Sequence, residues 1–163
     1  MKYLKWLPPL YVTAFPYLCL WDLYAAQAAL RENPFARIGL FWLAGLAAAL
    51  SVLLTRKHWT ARELALANML IKLTHILAYM FWFAAGILFF LFMGAPLAFF
   101  MDVLAISLSG LIGLAAVLNC GREGRLPAGK ALLHGVLQFI FCADVVSAIL
   151  VYRKARNNKE VQL

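Results

Sequence analysis

The stretch ALLHGVLQFIFCADVVSAILVY, residues 131–152, runs for 22 residues with one formal charge and no proline. A helix rises about 1.5 Å per residue, so about 20 such residues cross about 30 Å of hydrocarbon. The stretch is expected to be a membrane span. Residues 7–30, 36–54, 64–93 and 97–118 form further apolar runs of similar or greater length, which makes five spans. Lipid offers backbone groups no partner outside a helix, and β-barrel alternation is absent. The expected fold class is an all-α polytopic transmembrane helix bundle, one domain over residues 1–163, with a basic tail at 153–163.

Composition agrees. Of the 163 residues, 65 % are hydrophobic and 13 % charged, and the mean hydropathy is +0.83; soluble domains use roughly 45–50 % apolar and about 25 % charged residues. This excludes a soluble fold. The net charge of +8 sits in short runs beside apolar segments, where Lys and Arg anchor loops at lipid headgroups. Membrane lipids are therefore the expected partners, and nucleic acid is not. Cys19, Cys120 and Cys142 have no metal-site or redox spacing, so neither a metal nor another cofactor is expected.

The breaks between runs carry turn and interface residues: Arg31-Glu32-Asn33-Pro34, Arg56-Lys57-His58-Trp59-Thr60, Met93-Gly94-Ala95-Pro96, and residues 120–127. Gly94-Ala95-Pro96 predicts a tight hairpin between spans three and four. Thr60 and Glu63 have capping-box spacing at the start of span three. That segment is longer than one crossing needs, so residues 60–73 are expected to protrude or lie at the interface. Lys2 and Lys5 before an apolar run ending in Ala26-Gln27-Ala28 also suit a signal peptide. Pro8, Pro9 and Pro16 interrupt the run, which favours a kinked span. With five spans and the amino terminus inside, the inner side collects Lys2, Lys5, Arg56, Lys57, Arg62, Arg122, Arg125 and Lys130. The outer side holds Arg31, Arg37, Arg153, Lys154, Arg156 and Lys159. Eight against six favours amino terminus inside by a small margin.

Charge within a span is costly, so intramembrane polar residues are the functional candidates. All three aspartates, Asp22, Asp102 and Asp144, fall within spans, at depths of roughly 8–12 Å from one face by residue counting. Nearer the opposite face, span three carries Asn68, Lys72, His75 and Tyr79 on one helical stripe. His134 and Gln138 begin span five, and Asn119 closes span four. The pattern predicts carboxylates at one end of a shared cavity and basic and amide groups at the other. Ala105, Ser109 and Gly113 recur every fourth residue in line with Asp102 and suit close helix packing.

The stretch Trp6-Leu7-Pro8-Pro9 with Phe15-Pro16 and Trp21-Asp22-Leu23-Tyr24 is similar to one in the translocator protein (tryptophan-rich sensory) family. There it leads into span two, and the later signatures of that family are missing here, so no residue role is carried over. Residues 108–114, and more so residues 137–148 with Tyr152-Arg153-Lys154, resemble small uncharacterised multi-span proteins of Gram-positive bacteria. That resemblance implies a bacterial plasma-membrane location and no activity.

The expected function is a small solute or ion permease, or an apolar-ligand-binding bundle, working through the polar cavity and acting as a homo-oligomer. Asp22, Asp102 and Asp144 would bind a cation or relay protons; Lys72, His75 and His134 would meet an anionic group. The alternative is an accessory subunit of another membrane protein. A lipid-modifying enzyme is disfavoured, since the predicted tiers separate the histidines from the acids and no catalytic motif is present.

Overall fold

The computed structural model describes residues 3–29, 34–89 and 94–157. Among them it is all-helical: α1 (Leu7–Ala29), α2 (Pro34–Leu54), α3 (Ala61–Phe89), α4 (Gly94–Arg122), α5 (Ala128–Leu137) and α6 (Ala143–Arg156), with short 3₁₀ turns at Leu4–Trp6 and Arg56–His58. Three helices are long and apolar enough to cross a membrane, over Phe35–Leu54, Ala61–Ala84 and Ala98–Arg122, and not the five expected.

The helices alternate in direction. Asp22 of α1 meets Arg37 at the start of α2, and Tyr11 donates to the Phe41 carbonyl, so α1 and α2 are antiparallel. Lys5–Glu63 and Val12–His75 contacts set α1 parallel to α3. Trp42 donates to Ser107, aligning α2 with α4. One end of the bundle thus gathers the starts of α1 and α3 with the ends of α2 and α4.

That end is tightly joined. Thr60 and Glu63 form the reciprocal bonds of a capping box, each backbone N–H reaching the other's side chain at 3.1 Å. Glu123 accepts from the first amide of α3, Ala61, at 2.8 Å, a favourable place for a carboxylate. Asn119 donates to the carbonyls of Arg56 and Trp59.

The largest departure from expectation lies at residues 131–152. Helix α5 ends at Leu137 and α6 begins at Ala143, and the two run antiparallel. His134 meets Ser147 at 2.9 Å, and Arg125, in the loop before α5, donates to the carbonyl of Ala155 near the end of α6. The last helical segment therefore returns to the end it came from. It is a helical hairpin and not one continuous span-length helix.

Two glycines make room for its tip. A Cβ at Gly110 would lie 2.6 Å from the Phe139 ring, and one at Gly113 would overlap the Gln138 side chain. Cys142, at the start of α6, has φ 64°, a left-handed backbone rarely taken by residues other than glycine. The chain reverses there within five residues.

Three smaller expectations are also corrected. Of the two places expected for residues 60–73, the first is corrected: they do not protrude, since Ala61, Leu64, Ala65, Asn68, Ile71 and Lys72 are buried and α3 is packed from its first turn. Gly94 and Pro96 belong to the first turn of α4, where proline lacks only an N–H that has no helical partner; residues 90–93 lie outside the described residues. Finally, the hairpin moves Arg153, Lys154 and Arg156 to the other end of the bundle. Ten basic residues (Lys5, Arg56, Lys57, Arg62, Arg122, Arg125, Lys130, Arg153, Lys154, Arg156) share one end, and among the described residues only Arg37 marks the other.

Candidate functional site at the hairpin tip

Lys72 lies eleven residues into α3, roughly 16 Å along it. This is the middle of the stretch Ala61–Ala84, which is long and apolar enough to cross a membrane. Helix α5, with 10 residues, reaches about the same level from the same end. The tip and Lys72 meet in the middle of the bundle.

There Lys72 Nζ lies 2.7 Å from Asp144 Oδ2, and the two side chains are 0 % and 1 % exposed. The ammonium also donates to Ser109 Oγ at 2.8 Å and to the Gln138 carbonyl at 3.1 Å. Three oxygens of different chemistry thus surround one cation: a carboxylate, a hydroxyl and a backbone carbonyl at the end of α5. Asp144 stands in the first turn of α6, and its Oδ1 accepts from the Val145 amide at 2.9 Å. Cation at a carbonyl-rich helix end and anion at an amide-rich helix start is the arrangement the helix dipole favours.

A polar chain extends from this pair. Asn68 donates to Gln138 Oε1 at 3.0 Å, Gln138 Nε2 donates to Ser147 Oγ at 2.9 Å, and Ser147 shares a bond with His134 Nδ1. Lys72, Asn68, Gln138, Asp144, His134 and Ser109 are therefore one connected group, binding α3, α4 and both arms of the hairpin. Ser109 serves as a ligand of the ammonium as well as a small packing residue; Ala105 and Gly113 are buried against neighbouring helices.

His75 belongs to a different contact. Pro16 inside α1 has no N–H to give the Val12 carbonyl, and His75 Nε2 donates to that carbonyl at 3.0 Å. A carbonyl only accepts, so Nε2 carries the proton. His75 Nδ1 is buried and has no hydrogen-bond partner among the described residues.

The expected two tiers do not exist in the form derived from residue counting. Asp144 and Lys72, which a straight span would hold at opposite ends, touch, because α5 and α6 fold back on each other. Nor do the three aspartates form one cluster. Asp22 pairs with Arg37 at 3.1 Å, away from the tip. Asp102 has no ion-pair partner among the described residues, and its Oδ1 is buried without a hydrogen bond. Ser147 and Gly110 are site residues that the sequence reading does not reach, whereas Gly113, expected as a helix-packing residue, is one of the two seats for the tip; Gly110 and Gly113 in one helix are the available signal. No group of three or more His, Cys, Asp or Glu that could hold a metal occurs among the described residues.

Residues 68–157 match the model of a family of unknown function, DUF6652. The chain belongs to this family. The match covers more than half of the chain and holds the whole Lys72–Asp144 group with both arms of the hairpin, while α1 and α2 with the Asp22–Arg37 pair lie before it. No curated protein and no solved structure matches the chain.

Proposed function

We propose that this protein is a membrane-embedded carrier for a small solute or ion, with the Lys72–Asp144 pair at the hairpin tip as its working site. One observation carries the reading: a fully enclosed ion pair held between the end of one half-helix and the start of the next. Helix termini placed at mid-depth are how discontinuous helices build ion and substrate sites in transporters. Non-helical backbone is tolerated at that depth where it is buried in protein or lines an aqueous cavity.

Energetics point the same way. A buried ion pair gives little net stability compared with well-packed apolar residues, so stability alone is a poor reason for having one. As a working site it has a clear use. The ammonium and a transported cation or proton compete for Asp144, and shifting the tip changes which of them holds the carboxylate.

The basic end of the bundle faces the cytoplasm in this reading, by the excess of Lys and Arg there. The setting is a bacterial plasma membrane, as the resemblance to small multi-span proteins implies. A homo-oligomer is the working form, since so few helices leave little room for alternating access within one copy.

Purified protein in liposomes tests this. Flux of protons or small solutes is expected, lost in Lys72→Met and in Asp144→Asn. Absence of flux together with copurification of one fixed membrane protein would instead establish an accessory subunit, the polar chain then serving as interhelical bonding.

A further inference from the structure

We propose that the slot beyond the hairpin tip is a vestibule that binds a small organic ammonium ion, with Asp102 as counter-charge and Tyr79 and Trp82 as its aromatic walls. The proposal deepens the carrier reading by naming a substrate class. The backbone of the hairpin tip meets α3 and α4 at the Lys72–Gly110 level, and its Phe141 side chain reaches on to Tyr79. Both long helices continue past it, α3 to Phe89 and α4 back to Gly94.

Lys72 of α3 bonds Ser109 of α4 across an antiparallel pair. Two turns further along each helix, at the same level, come Tyr79 and Asp102, with Trp82 one turn on. Tyr79 is 8 % and Trp82 5 % exposed, yet Tyr79 Oη, Trp82 Nε1 and Asp102 Oδ1 have no hydrogen-bond partner among the described residues. Buried polar atoms are normally paired. Two donors and a carboxylate oxygen left over within one helical turn form a complementary set for a ligand. The tip below is exposed, from Phe139 to Cys142, and Phe141 packs on the Tyr79 ring with centroids 5.6 Å apart.

The ligand class follows from what is offered. Hard inorganic cations such as Ca²⁺ take six or more oxygens, and this slot has one carboxylate among aromatic rings. An ammonium on a carbon frame is satisfied by one carboxylate plus ring faces. A hydroxyl or carbonyl on the same ligand would accept from Trp82 Nε1 or Tyr79 Oη. Tyr79 lies within electrostatic reach of both Asp102 and Asp144, so it stands between a cation held at Asp102 and the working pair, about 10 Å away along the helices.

Cys142 provides the readout, because it is exposed at the tip whereas Cys19 and Cys120 are buried. The full chain in detergent is treated with a positively charged methanethiosulfonate reagent, with and without ethanolamine, benzylamine or sodium chloride. Modification of Cys142 is expected, slowed severalfold by either amine and not by sodium. Asp102→Asn abolishes the protection and Tyr79→Phe weakens it, while Asp22→Asn leaves it unchanged. Asp102 has no partner to lose, so its asparagine variant is expected to melt no lower than the parent, and Asp102→Glu restores protection.

The proposal fails if Cys142 resists the charged reagent but reacts with an apolar maleimide, if sodium protects equally, or if protection survives in Asp102→Asn. Protection without any amine flux in liposomes would leave the vestibule standing and remove the carrier reading. Flux that ignores amines would do the reverse.

Discussion

Gly113 and Gln138 touch without room for a methyl group between them. The hairpin tip is seated at that contact, and the Gln138 side chain and carbonyl together tie it to Asn68, Ser147 and Lys72.

Replacing Gly113 with alanine is therefore expected to push the tip off α4. Overpacking of this kind costs about 1–3 kcal/mol. Unfolding in detergent checks it, with Gly39→Ala as control, because a Cβ there meets nothing within 4 Å.

Removing one member of the Lys72–Asp144 pair leaves the other charge enclosed. Lys72→Met or Asp144→Leu alone is expected to destabilise by about 3–5 kcal/mol, and the double variant to recover most of that loss. Equal losses that simply add in a double-mutant cycle would show that the two side chains do not act as a pair.

His75→Phe strands the Val12 carbonyl that Pro16 leaves free, an expected loss of about 1–3 kcal/mol. Pro16→Ala in the same chain supplies the missing N–H, so the double variant should regain stability lost in His75→Phe. Stability unchanged in His75→Phe would contradict the bond.

Much of this architecture was legible in the residues. The spans expected at 36–54 and 97–118 fall inside α2 and α4, since apolar runs bounded by charged punctuation leave little choice, and the Thr60–Glu63 capping box forms as its spacing implies. Residues 138–142, Gln-Phe-Ile-Phe-Cys, contain neither glycine nor proline and are as apolar as a span, so nothing local announces a reversal. What turns the chain is tertiary: two glycines on α4, a cation on α3 and an arginine that binds the returning end. The Lys72–Asp144 contact is hidden for the same reason: a continuous helix over 131–152 would put the two residues at opposite ends, and the helix is broken at 138–142.

The topology itself is measurable. Cysteines introduced at Lys57 and Asn157 are expected to react from the same side of a sealed vesicle, and one at Arg37 from the other. Labelling of Lys57 and Asn157 positions from opposite sides would restore a crossing over residues 131–152.

The pair at the tip also sets an order of assembly. Ribosomal synthesis adds Lys72 to the chain 66 residues before Gln138, the first hairpin residue that it bonds. Until the end of the chain arrives, α3 carries a charge without its counter-charge, and such a segment is held only weakly in lipid. The hairpin is thus the closing piece of the bundle, and a chain truncated before Asp144 is left with an unmatched lysine that marks it as incomplete.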